Sequence, residues 1–136
     1  MTTSLILRIA SIVSMLLATG HTLGGRTAWS PQGENPVLQA MRTEHFQVFG
    51  VSRTYLDFYL GFGLTLSAYL VLQAVLLWQL ATMAKTDPSQ VRGMVAALAI
   101  ASLASAVLSW QFLFAIPTAF TLAVTVLPGL AVYVRR

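Results

Sequence analysis

Two histidines, four acids and eight Lys or Arg are all the ionic chemistry that this chain of 136 residues holds. Five of these groups crowd into one stretch, "RTEHFQVFGVSRTYLDFYLGFGL", Arg42 to Leu64. Arg53 and Asp57 stand four apart, one helical turn, where a guanidinium and a carboxylate meet on one face. As structure, the pair would secure the start of a helix. As chemistry, burial and Arg53 would tune Asp57 as an acid or base. His21, in the first apolar run, either satisfies a helix-end carbonyl or shuttles a proton, because imidazole titrates near neutrality. Glu44 and His45 are sequence neighbours, so on a helix they point about 100° apart.

Other chemistries find no support. There is no cysteine, no His-x-x-x-His and no Glu-x-x-His, so a metal site from His21, Glu44, His45 and Asp57 is not expected. No phosphate loop, dinucleotide fingerprint or Ser-His-Asp spacing occurs, and no cofactor is expected. The net charge of +4 comes from scattered cations without a basic stripe, which argues against nucleic acid as a partner.

The elements that must carry these residues are apolar. The chain is 57% hydrophobic and 9% charged, where soluble domains carry about 25% charged residues. About 20 apolar residues cross a bilayer core. Four such spans are expected in a single domain, at about 5–23, 55–83, 88–114 and 118–134. Arg8 sits inside the first apolar run, where a cleavable leader would carry its charge ahead of it, so that run is expected to remain as the first helix. Asp87-Pro88 reads as a turn that starts the third span, "AIPTAF" as a hairpin at Pro117, and Pro128-Gly129 as an interruption of the fourth. Pro36–Phe49 has apolar residues at spacings of three and four and reads as an amphipathic helix on the outer interface, ended by Gly50.

Basic residues set the expected orientation. Arg8, Lys85, Arg92, Arg135 and Arg136 fall on one side, against Arg26, Arg42 and Arg53 offset by Glu34 and Glu44. Both termini are therefore expected in the cytoplasm and the long first loop outside. Trp29, Trp78, Trp110, Tyr55, Tyr59 and Tyr133 suit interfacial belts.

Each span carries a stripe of small or hydroxyl residues: Ala10, Ser11, Ser14, Ala18 and His21; Asp57, Gly61, Leu64, Thr65 and Ala68; Ala99, Ser102, Ser105 and Ser109; Thr118, Thr121, Thr125 and Pro128. Such stripes are where helices meet in lipid. Asp57 and His21 would then converge beneath an outer roof. The fold class expected is all-α, an integral membrane four-helix bundle with a short interfacial helix.

"GHTLG" (Gly20–Gly24) and "YLDFYLGFGL" (Tyr55–Leu64), with the Arg53-x-Tyr55-x-Asp57 pattern, resemble a family of small four-span bacterial inner-membrane proteins. The resemblance implies a four-helix protein of the inner membrane and emphasises the same His and Asp. It carries no activity, cofactor or catalytic residue.

Two functions are consistent with these residues. One is an outward-opening pocket for a small apolar or lipid-like molecule. Asp57, His21, Glu44 and Arg53 would there support proton transfer (isomerisation, cyclisation or hydration), while His45, Tyr55, Tyr59, Trp110 and Gln111 contact the ligand. The other is a non-catalytic subunit or scaffold whose stripes pack against partner helices, in a homo-oligomer or another assembly.

Overall fold

The computed structural model describes residues 2–27 and 33–134. Trp29, Arg135, Arg136 and the side chain of Arg26 lie outside the described residues. Among the described residues five helices and one hairpin follow in order: α1 (Thr3–Thr27), α2 (Pro36–Thr43), β1 (His45–Val48), β2 (Val51–Thr54), α3 (Tyr55–Met83), α4 (Pro88–Phe112) and α5 (Ala115–Tyr133). Four of the helices are long and apolar enough to cross a membrane.

Their boundaries follow from local chemistry. Asn35 caps α2 by accepting from Leu38 N at 3.0 Å, with Pro36 in the first turn, where a missing N–H costs nothing. Asp87 caps α4 in the same way, with Pro88 behind it. Its Oδ1 accepts from Ser89 N at 2.8 Å and Ser89 Oγ at 2.6 Å. Those two donors hold the Asp87 carboxyl below the usual carboxylate range. A lowered folded-state value means that this cap stabilises α4 above the ordinary Asp pKa of about 3.9. The contribution is lost as pH falls through the lowered value. Thermal melts of the wild type and Asp87→Asn should therefore diverge at neutral pH and approach one another as the solution is acidified below about pH 4.

The turn before α5 falls at Leu113–Phe114, and Pro117 takes a place in the first turn of α5 instead of forming the bend. The expected interruption at Pro128-Gly129 is also corrected. α5 runs through Pro128, which is fully buried in its helix, so packing holds the segment where a backbone hydrogen bond is missing.

The chain divides into two compact units. In the first, formed by residues 1–18 and 70–136, α1, the second half of α3, α4 and α5 pack around Leu7, Ala10, Leu77, Ala81, Val91, Val95, Val124 and Ala131. Polar groups join the helices here. Ser11 Oγ donates to Ala74 O at 2.7 Å, and Gln73 Nε2 donates to Ser102 Oγ at 2.6 Å. Ser102, Ser109, Thr118, Thr121 and Pro128 are buried, as their stripes require, whereas Ser105 is exposed. Arg8 lays its guanidinium 4.9 Å from the centre of the Trp78 ring, a cation–π contact. Outward, Leu72, Val75, Ile100, Leu103, Val107 and Val126 are all exposed. An apolar exterior around a core threaded with hydroxyls suits a lipid solvent better than water.

The second unit, residues 19–69, holds the end of α1, α2, the hairpin and the first half of α3. Here the expected helix over 36–49 is corrected: α2 stops at Thr43, and an antiparallel hairpin pairs His45 with Thr54, Phe46 with Arg53, Gln47 with Ser52 and Val48 with Val51. Phe49 and Gly50 form the two-residue turn with φ of 47° and 81°. Two positive φ values mark the turn type whose twist matches paired strands. Glycine adopts this region without penalty, but a residue with a Cβ is strained by about 1–2 kcal/mol. The spacing of Met41, His45, Val48 and Phe49 mimics a helix, while the alternation of Phe46 and Val48 against Val51 and Arg53 decides for strands.

Candidate functional site

α3 begins with a reciprocal cap. Thr54 N donates to Asp57 Oδ2 at 3.0 Å, and Asp57 N donates to Thr54 Oγ1 at 3.0 Å. This capping box satisfies two backbone donors that a helix start otherwise leaves open. The signal stood in the sequence as Thr54-x-x-Asp57 ahead of an apolar run. Arg53 donates instead to Ser52 O at 2.9 Å. Among the described residues the ion pair within hydrogen-bonding distance is Arg42–Glu34, on the surface, so the expected Arg53–Asp57 bridge is not formed.

Arg53 and Asp57 nevertheless share a surface. One face of the hairpin (Phe46, Val48, Val51, Arg53) and one face of α3 (Asp57, Phe58, Gly61, Phe62, Thr65) line an open cleft of about 480 Å³. Its wall is an aromatic run. The Phe46 ring lies 5.0 Å from Tyr55 and 5.6 Å from Phe58, and Phe58 meets Phe62 edge-on at 4.9 Å. Edge-to-face contact is the favoured geometry for such rings. The expected packing of Asp57, Gly61, Leu64, Thr65 and Ala68 against other helices is corrected, because all five are exposed. The covered side of α3 in this unit is marked by Ser67, which is buried.

His21 goes to that covered side. Its Nδ1 lies 3.0 Å from Ser67 Oγ, and the Ser67 hydroxyl donates to Gly63 O at 3.2 Å. His21 and Ser67 thus form one polar pair on this side of α3, the imidazole tautomer setting which of them donates. Ser67 is ten residues beyond Asp57, about 15 Å along the helix and about 80° round it. His21 and Asp57 therefore do not converge, and the expected proton relay between them is not assembled.

The remaining candidates are dispersed. Glu44 caps the end of α2 through its backbone and is exposed. His45 lies on the hairpin face opposite Phe46, 3.4 Å from Ser52 Oγ. Tyr55 packs at the edge of the aromatic wall, and Tyr59 is exposed on α3. Trp110 and Gln111 are exposed in the last turn of α4 and belong to the other unit. Among the described residues no three His, Asp or Glu side chains gather to hold a metal ion.

The cleft residues that the reading of the sequence did not assign to the site are Phe46, Val48, Val51, Phe58, Gly61, Phe62 and Thr65. Strand alternation was the signal for Phe46, Val48 and Val51, hidden by the helix-like spacing, while Gly61 and Thr65 stood on the stripe of Asp57. Compared with protein-family models, with curated proteins and with solved structures, the chain finds no match.

Proposed function

We propose that this is a multi-pass inner-membrane protein, with both termini cytoplasmic, whose outer side binds a small lipid-like molecule in the hairpin–α3 cleft. The supporting observation is the cleft itself: an aromatic and aliphatic wall open along one side, with one cation and one anion on it. Such a surface suits an apolar body carrying a polar or charged end. Arg53 would orient an acidic group and Asp57 a hydroxyl or amine. The resemblance of "GHTLG" and "YLDFYLGFGL" to small four-span proteins points to the same membrane.

Binding is favoured over proton-transfer catalysis. Asp57 is already engaged in a helix cap, and the expected shuttle, His21, is turned to Ser67. If chemistry occurs, Asp57 is the acid or base and Arg53 the charge stabiliser.

Mass spectrometry of lipids retained by protein extracted from membranes tests the proposal. The wild type should retain a species that Phe58→Ala/Phe62→Ala loses, with the melting profile kept. Identical retained species in both would overturn it. Because the chain has no cysteine, Gln39→Cys provides a single label, which should react from outside intact cells. Reaction only after lysis would reverse the topology.

A second reading has one observation of its own. Gly93, Ala97, Ala101 and Ser105 form an exposed small-residue ladder along α4. Ladders of this spacing let helices approach closely in lipid. A protein that retains no species in its cleft and runs as an oligomer would favour this scaffold role.

A further inference from the structure

The hairpin's tip is the least expected surface on the molecule. Phe49 is 103% exposed, Val51 44% and Val48 36%, and no charged residue lies between His45 and Arg53. Phe49 also holds a positive φ that glycine would adopt without strain. A bare phenylalanine at a strained position is a poor choice for a turn surrounded by water.

The direction of the hairpin gives this tip a place. Its base residue Phe46 contacts Tyr55 and Phe58, at the start of α3. Val48 and Val51, next along the same face, share the cleft with Gly61, Phe62 and Thr65. From base to tip the hairpin thus runs beside α3 toward that helix's middle. α3 has 29 residues, about 43 Å at 1.5 Å per residue, against a hydrocarbon core of about 30 Å. With the excess divided between its ends, the core begins near Tyr59, after Asp57 and before Phe62. Asp57 then stands among head groups, while Phe62 and Thr65 stand among acyl chains.

We infer that the turn Val48–Val51 is a membrane-inserted wedge, with Phe49 in the acyl region of the outer leaflet and the cleft opening sideways to lipid. Among the described residues the two strands pair only with each other and each keeps an unpaired outer edge, so the strands stay at the head-group level and only the turn enters the apolar layer. A ligand would reach the cleft from within the bilayer, which accounts for an apolar wall with its charges at the head-group end.

Insertion presupposes that the chain crosses a bilayer, and the test separates the two. Phe49→Cys, Ile100→Cys and Gln39→Cys, each spin-labelled and placed in vesicles of phosphatidylethanolamine and phosphatidylglycerol, are compared for collision with oxygen and with a water-soluble nickel chelate. The label at 49 should behave like that at 100, favouring oxygen, at a depth of roughly 5–10 Å below the phosphates. The label at 39 should favour nickel. Nickel access at 49, with oxygen preferred at 100, overturns the wedge and leaves the membrane reading intact. Shielding of 49 from both reagents means that protein covers the tip, and also overturns it. Nickel access at 100 overturns both. Val48→Cys serves as a second tip position if Phe49→Cys does not fold.

Discussion

Replacing the exposed Leu72 with lysine is expected to damage this protein more than hollowing its core at Leu77. Leu72 is 48% exposed near the middle of α3, and in a water-soluble protein a lysine there would be nearly neutral. In a bilayer a central lysine costs about 2.5–3.5 kcal/mol on insertion scales. Leu72→Lys should therefore reduce membrane-integrated protein several-fold, measured by carbonate-resistant yield. Leu77 is fully buried, and Leu77→Ala leaves a cavity. At about 24 cal/mol per Å³, a residual cavity on the order of 80 Å³ costs about 2 kcal/mol. Much of the usual transfer cost is absent, because lipid receives the leucine as readily as the core does. Thermal unfolding in detergent should register Leu77→Ala. Equal yields for Leu72→Lys and wild type would place the exterior of α3 in water.

The second large effect concerns Asp57, where cap and charge can be separated. Asn at this position still offers an oxygen to Thr54 N but lacks the carboxylate charge. Asp57→Asn should melt between the wild type and Asp57→Ala, and weaken retention of a ligand with a basic or hydroxyl end by about tenfold, the worth of one charged contact. Asp57→Ala should lose both the ligand and part of the stability. If Asn and Ala variants both melt early and both retain the ligand, Asp57 serves the fold alone.

These tests turn on a distinction between kinds of information in the chain. Apolar length, Asp87-Pro88 and Asn35-Pro36 are local signals, and they suffice for the four long helices and most of their limits, since a helix forms its hydrogen bonds within itself. Ser11, Ser14 and Ser102 lie on their helices' covered sides, where each hydroxyl meets a polar group of α3.

Nonlocal choices escaped that reading. His45–Val48 is periodic enough for a helix, and only pairing with Val51–Thr54 makes it a strand, because strand hydrogen bonds need a partner segment. The stripe through Asp57, Gly61 and Thr65 has the composition of a helix contact, yet it faces the hairpin cleft, while Ser67 takes the covered side with His21. Periodicity determines which residues share a face. Which face is covered depends on what the rest of the chain brings against it, and that is settled by packing between segments distant in sequence.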